Sequence, residues 1–301
     1  MSLLVYGTVA LDNVKTPSGS RRDLLGGSAA HFAMSARLFT KVHLTAVIGR
    51  DFPKRHIRFL RAKGIDLASL EQGPGKTFRW DGEYKQNDMN TALTLATELG
   101  VLVGCDPFVA HQHRNIPHVF LANIDPDMQM GLIHMMRRPR LIGLDSMNLW
   151  IAHKRESLLK LMKKVDLFVA NDGETRALTQ EANLIKAAKL LRKYGPELIV
   201  VKKGEHGVVF YSDSFMFAFP AYPVEKVIDP TGAGDTFAGG LMGYLCRAGR
   251  LNRSALKQAV IYATTLASFN VEGFGLSRTG RLTLSEVNRR MRAFQSYISF
   301  R

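Results

Sequence analysis

From Val119 onward the chain alternates short apolar runs with amphipathic stretches, and no other feature narrows the possible folds as far. The runs at 119–122, 141–144, 167–170 and 198–201 are short, almost wholly apolar and rich in β-branched residues. They read as strands buried on both faces. Between them, apolar residues recur at helical spacing near 128–136, 154–163 and 183–194,. Strand and helix in regular turn argue an α/β fold with a doubly wound, mostly parallel sheet and helices on both faces. Upstream, 3–9 and 42–48 add strands, while a helix opening after Gly27 and a basic one over 54–63 add to the layers. Gly64-Ile65-Asp66 stops the basic helix and leads into a loop. Helices over 256–267 and 285–294 close the body.

The string Asp229-Pro230-Thr231-Gly232-Ala233-Gly234-Asp235-Thr236 runs straight into a helical pattern through Phe237, Ala238, Leu241, Met242 and Leu245. Two glycines and an alanine ahead of a helix let backbone close on a ligand. The unpaired N–H groups of the first turn, with roughly half a positive charge from the helix end, suit a phosphate. A carboxylate is out of place in such an anion trap. Asp235 either caps the helix or accepts a proton from an attacking hydroxyl, and the residues alone leave both open.

Other strand ends carry polar residues of the same kind. Asp12 follows the first strand, where open α/β sheets bind ligands, or it sits in a turn with Asn13. Asn171-Asp172-Gly173-Glu174 suits a capping box, or an amide and a carboxylate that hold a hydrated Mg²⁺. Asn123, Asp145 and Asn148 mark further strand ends. The stretch 199–210 reads as strand, turn at Gly204 and Gly207, strand, with Lys202 or Lys203 in reach of phosphate,. Gly75-Lys76-Thr77 is no P-loop, because the position five residues before Gly75 is Leu70 and no strand leads into the triplet,. Residues 76–85, with Thr77, Phe78, Trp80 and Tyr84, read instead as part of a hairpin,. His111-Gln112-His113, with His118 nearby, has a spacing that could hold a metal from a strand. The segment offers no cysteine or carboxylate beside them, so it is expected to be a solvent-facing loop.

The string from Asp229 to Gly240 resembles the C-terminal signature of the ribokinase (PfkB) family of carbohydrate and nucleoside kinases, and Gly26-Gly27-Ser28-Ala29-Ala30-His31-Phe32-Ala33 resembles its N-terminal di-glycine signature. The resemblance covers nearly the whole chain. It implies one ribokinase-like domain over 1–301, with a small β-sheet lid from about 12–23 and 77–103. It implies ATP-dependent phosphorylation of a primary hydroxyl on a sugar or nucleoside, with Asp235 as base and the backbone of Gly232, Ala233 and Gly234 as anion hole. By the same resemblance Asp12, Gly26, Gly27, Ser28 and His31 hold the substrate. Asn171, Glu174, Lys202, Gly204, Gly207, Thr231, Ser268 and Asn270 border ATP, with Glu174 reaching Mg²⁺ through water. A monovalent cation such as K⁺ would lie beside Asp229 and Thr231. His31 departs from the family, which usually has Asn there, and this leaves the choice of sugar or nucleoside open. The apolar face of the lid would cover substrate or pair with a second subunit in a homodimer.

Composition bounds the rest. With 46% hydrophobic residues the chain is not disordered,. No apolar run approaches the eighteen or so residues of a membrane span, and no basic region precedes the first apolar residues, so a cytoplasmic protein without a membrane partner is expected. Cys105 and Cys246 form neither a disulfide framework nor a zinc ribbon. The net charge of +15 permits nucleic acid as a partner, but the basic residues fall in separated clusters at Arg21-Arg22, 54–63, 137–140, Lys202-Lys203 and 289–292. That pattern predicts solvated faces and attraction for phosphorylated ligands. Two rivals to a kinase are a nucleic-acid-binding protein on a kinase-like scaffold and a sugar or nucleotide sensor. Retention of Asp235 and of the Asn171–Glu174 element argues against the sensor.

Overall fold

A computed structural model describes residues 1–299. In chain order the strands are β1 (Ser2–Tyr6), β2 (Ala10–Thr16), β3 (Gly19–Gly26), β4 (Lys41–Ile48), β5 (Asp66–Gln72), β6 (Arg79–Lys85), β7 (Asp88–Glu98), β8 (His118–Leu121), β9 (Leu141–Asp145), β10 (Leu167–Asn171), β11 (Leu198–Lys202), β12 (Val208–Tyr211) and β13 (Met216–Phe219). The helices are α1 (Ser28–Ala36), α2 (Lys54–Ala62), α3 (Pro126–Met135), α4 (Asn148–His153), α5 (Arg155–Met162), α6 (Asp172–Thr179), α7 (Leu184–Lys193), α8 (Ala233–Ala248), α9 (Arg253–Asn270) and α10 (Leu284–Ile298). None is long and apolar enough to cross a membrane.

The large sheet has the order β13-β12-β11-β10-β9-β8-β1-β4-β5, and a second sheet has the order β3-β2-β6-β7. From β11 to β5 each neighbouring pair in the large sheet is parallel, while β12 and β13 fold back antiparallel at one edge. The apolar runs are continuous because both faces are covered. Leu3 and Val5 of β1 join a core that includes residues of α1, α8 and α9, whereas Leu4 and Tyr6 join the core built with α3, α5 and α7. Alternation within one strand thus feeds two cores.

Two expectations are corrected. The loop after Gly64 is in fact β5, an edge strand paired only with β4. Its sequence Asp-Leu-Ala-Ser-Leu-Glu-Gln buries only Leu67 and Ser69, too little apolar periodicity to read as a strand. The helix expected over 154–163 begins earlier and breaks in two at Lys154, whose backbone (φ −133°, ψ 35°) leaves the helical region. There its ammonium group binds Asp125 at 2.6 Å and Asp127 at 2.7 Å.

Helix α8 is set in place by contact with α1. The two pack with no side chain between them at Gly239, where a Cβ would come within 2.2 Å of the Phe32 carbonyl oxygen. A Cβ at Gly243 would likewise meet the Ala36 backbone at 3.0 Å. Backbone touching backbone fixes how far α8 advances toward the C-terminal ends of the strands. Replacing Gly239 by Ala should gain about 1 kcal/mol of helix propensity yet lose more to overpacking, which typically costs about 1–3 kcal/mol. The expected outcome is a lower thermal midpoint; a midpoint above wild type would show that the two helices can part freely.

Candidate active site

A cleft of about 1850 Å³ lies between the C-terminal ends of the large-sheet strands and the second sheet. Asp12, Gly27, Ser28, His31, Asn171, Glu174, Lys202, Gly204, Gly207, Thr231, Gly232, Ala233, Gly234, Asp235 and Ser268 all line it. Gly26, Asp229 and Asn270, proposed for the site from sequence, are not on its wall.

The N-terminus of α8 opens into this cleft. Gly232, with φ 72°, is the N-cap, and no side chain caps the helix. Asp235 is its third residue, so the capping role that the sequence left open does not apply. Ala233 N–H donates to the Pro230 carbonyl at 3.1 Å; the N–H groups of Gly232, Gly234 and Asp235 make no backbone hydrogen bond among the described residues. They are the donors left for an anion. Lys202 reaches the same place, since a Cβ at Gly234 would lie 2.7 Å from its Nζ.

Asn270, fully buried, holds this helix end from behind. Its Nδ2 donates to the Thr231 carbonyl at 2.7 Å, and its Oδ1 accepts from Thr236 Oγ1 at 2.9 Å. His31 Nδ1 lies 3.2 Å from the same Oδ1, which requires the proton on Nδ1,. Nε2 then carries the lone pair, and this buried atom has no partner among the described residues. Burial pushes His31 below the ordinary imidazole range, so the ring is neutral,. The ring also fills the space beside Gly232, where a Cβ would come within 2.3 Å of it.

Asp12 projects from β2, a strand of the second sheet, onto the wall of the cleft. A Cβ at Gly26 would fall 1.8 Å from its Oδ2, so only glycine leaves room for the carboxyl group. Gly27, at φ 92°, then turns the chain into α1. Burial pushes the Asp12 carboxyl up to about 8, opposed by the Gly27 N–H and reinforced by Asp229 and Asp235,. Asp229 itself is fully buried; Oδ1 accepts Thr231 N–H and Oδ2 accepts Gly275 N–H, each at 2.9 Å.

Across the cleft, Asn171 and Lys202 are register partners at the ends of β10 and β11. The capping box forms in full, with Asn171 Oδ1 and Glu174 Oε2 each accepting a backbone N–H at 2.7 Å. Burial raises the Glu174 carboxyl, with Lys202 opposing. Asp145, at the end of β9, is buried, its Oδ1 has no partner among the described residues, and burial and Asp235 raise it well above the carboxylate range.

Contacts from the second sheet were not foreseen residue by residue. Thr231 Oγ1 donates to Tyr84 Oη at 3.3 Å, Thr16 Oγ1 donates to the Ile228 carbonyl at 2.8 Å, and Asn90 Nδ2 donates to Glu205 at 3.2 Å. The Trp80 indole lies over Gly82, where a Cβ would come within 2.0 Å of the ring, and its Nε1 donates to Thr94 Oγ1 at 3.2 Å. The signal available was Trp80 and Tyr84 in even phase along one strand, which puts both on one face. One expectation fails. His111 is exposed as predicted, but His113 is 2% exposed and turned inward, away from the cleft.

Residues 6–280 match the model of the pfkB family of carbohydrate kinases. The chain belongs to that family. It is 31% identical over 254 residues to the cytidine kinase of Thermococcus kodakarensis, an alignment covering 81% of this chain and 88% of that one. The fold matches the nucleoside kinase of Methanocaldococcus jannaschii, an archaeal member of the ribokinase family, with a TM-score of 0.75, 21% identity and coverage of 97% and 98%. It also matches aminoimidazole riboside kinase from Salmonella enterica, solved with aminoimidazole riboside and an ATP analogue, with a TM-score of 0.76, 18% identity and coverage of 97% and 100%. The fold is thus ribokinase-like, and this pfkB-family chain is a phosphotransferase with an alcohol group as acceptor.

The raised Asp12 predicts a pH signature. Its unfolded value is 3.8 and its folded value about 8. Between these the unfolded chain releases a proton that the folded chain keeps, so stability present at low pH is lost as pH rises through about 8,. Asp12→Asn removes that loss. Its melting temperature should therefore exceed that of wild type by a margin that grows from about pH 5 to about pH 8; a margin independent of pH would place the Asp12 carboxylate in a solvated setting.

Proposed function

We propose that the chain is a nucleoside kinase that moves the γ-phosphoryl group of ATP to a primary hydroxyl of the sugar moiety. One observation carries this reading: Asp235 and the unpaired N–H groups at the start of α8 open on the same cleft as Asp12 and His31 on one side and Lys202 on the other. In the proposed reaction the substrate hydroxyl lies beside Asp235, which accepts its proton as the new oxygen–phosphorus bond forms and the γ-phosphorus bond to the β–γ bridging oxygen breaks, with ADP as the leaving group. The N–H groups of Gly232 and Gly234 and the Lys202 ammonium stabilise the charge on the transferring group. Ala233 contributes its position in the turn, because its own N–H is engaged.

Asp12 and His31 hold the substrate hydroxyls. Neutral His31 offers Nε2 as an acceptor, and protonated Asp12 offers a donor, so both take part without bringing charge to the sugar. The Gly204–His206 turn, Tyr222 and Ser268 border the same cleft and form the nucleotide side. Glu174, through water, would hold a Mg²⁺ that arrives with ATP. This fits the donor set, since the Glu174 and Asp145 carboxyl groups face a single lysine and Asp145 Oδ1 lacks a partner among the described residues. When bound, the cation neutralises charge on the phosphates.

A nucleoside is favoured over a bare sugar by the wall that the second sheet contributes. Phe78, Trp80 and Tyr84 line the cleft there, and the indole held flat over Gly82 makes a platform for a base,. The likeness to a cytidine kinase supports the same class and makes cytidine the first substrate to try. The second sheet acts as a lid in this reading, latched through Thr16 and Tyr84 to the loop before α8 and through Asn90 to the nucleotide-side turn.

The test is ADP release with ATP and Mg²⁺ across a panel of nucleosides and free pentoses. Nucleosides, cytidine among them, should be turned over in preference to ribose; turnover of ribose alone would exclude a base platform. Asp235→Asn should fold as wild type and bind ATP as tightly, yet lose about 10²–10⁴ in kcat, the usual contribution of a general base. Near-normal kcat in that variant would remove Asp235 from the reaction.

A further inference from the structure

At the opposite, N-terminal ends of the parallel strands, three polar side chains from three distant segments converge. His43 on β4 is the register partner of Asp66 on β5, and His113 arrives from the short 3-10 turn His111–His113. His43 Nδ1 lies 3.0 Å from His113 Nε2, and Asp66 Oδ2 lies 3.2 Å from the first nitrogen and 3.5 Å from the second. We propose that His43, His113 and Asp66 bind a divalent transition-metal ion, with Zn²⁺ the best fit, in a tetrahedral site whose fourth position faces solvent.

The separations are those a metal requires. Ligands about 2.0–2.1 Å from a tetrahedral Zn²⁺ are about 3.3 Å from one another, and the three distances here bracket that value. Two imidazoles and one carboxylate form an established donor set for a zinc ion with an open position, and imidazole ligands disfavour Mg²⁺ and Ca²⁺. The groups behind the triad fit as well. Ser69 Oγ is 2.7 Å from His113 Nδ1 and is held by Ala110 N–H at 3.0 Å, so it can accept the Nδ1 proton and leave the Nε2 lone pair facing the other two ligands,. Asp66 Oδ1 accepts Ala68 N–H at 3.0 Å, which orients the carboxylate so that Oδ2 points into the cluster.

Access is also provided. His43 and His113 are buried, at 6% and 2% exposed, but the Asp66 side chain is 27% exposed and opens the site to solvent. The other cation nearby is Lys41, 3.8 Å from Asp66 Oδ2. At 63% exposed and on a flexible stem, it is free to swing aside. The rival occupant is a proton, with His113 Nε2–H donating toward His43 and Asp66, and it leaves the heavy atoms in the same places.

The decisive experiment uses the full chain, stripped with a chelator and then titrated with Zn²⁺ by calorimetry and with Co²⁺ by visible absorption. The triad predicts one tightly bound equivalent, a tetrahedral Co²⁺ ligand-field band, and a melting temperature raised by about 5 °C at saturating Zn²⁺. His113→Gln and His43→Gln should each weaken binding by at least about 100-fold and abolish the band. Glu174→Gln, on the cleft, should keep both, which separates this site from any metal taken up with ATP. Absence of the Co²⁺ band in wild-type protein, or equal Zn²⁺ uptake by wild type and His113→Gln, would overturn the proposal and leave the cluster to its proton.

Discussion

Asn270 ties together three pieces of chain that have to meet for the cleft to exist. Through one side-chain amide it holds the Thr231 carbonyl before α8, the Thr236 hydroxyl in the first turn of α8, and the His31 ring on α1. Three groups are thereby fastened at the point where an uncapped helix end meets a cavity, and only His31 Nε2 is left without a partner among them. An uncapped N-terminus would ordinarily recruit a serine, threonine or aspartate as its cap. Here the cap position is a glycine and the fastening is done from the side, so the N–H groups stay free for a ligand. The close packing of Gly239 and Gly243 on α1 serves the same end from below. The helix is located by contacts that leave its electropositive end unused.

The electrostatics of the cleft oppose those of the molecule. The chain carries +15 overall, yet the cleft and its rear wall gather Asp12, Asp145, Glu174, Asp229 and Asp235. Burial and mutual repulsion raise Asp12, Asp145 and Glu174. The raised Asp12 carboxyl makes the cleft less negative than its composition suggests,. Lys202 and the α8 terminus supply the countercharge at the one place where the proposed phosphoryl transfer would need it. The global charge therefore says little about the chemistry, and the local balance says much more.

The alternation of strands and helices was legible because parallel strands buried on two faces leave short, β-branched apolar runs that recur in turn with helical periodicity. The glycine strings were legible because backbone approach to a ligand demands them. Gly26 shows how far such reading reaches: the sequence marks it as part of a site, whereas its physical task is to make room for the Asp12 carboxyl. Asn270 shows the limit from the other side, since a polar residue at a helix end is equally consistent with touching a ligand and with bracing the loop that does. The β5 edge strand escaped notice because pairing on one side only needs little apolar periodicity. Spacing within His111-Gln112-His113 was misleading for a different reason. A metal-type cluster drawn from three segments shows no local pattern, and only the register of β4 with β5 brings His43 to Asp66.

That cluster bears on the cleft through chain connectivity. Residues 99–117 carry the chain from β7, the last strand of the second sheet, back to β8 in the large sheet, with only two 3-10 turns on the way. A connection of that length without regular structure loses much conformational entropy when ordered and has to be fastened by side chains. Its start is tied by Val101 N–H to the Lys76 carbonyl, and its far half by Ala110 N–H to Ser69 and by His113 to His43 and Ser69. The latch Asp51–Thr77–Gly49 holds the entry of β6 to the end of β4. Both ends of β4 therefore anchor segments that enter or leave the second sheet: the C-terminal end through Gly49 and the N-terminal end through His43. In the proposed lid role the second sheet would move over the cleft while these roots stay fixed, and a metal ion at His43 would make the return root the stiffer of the two.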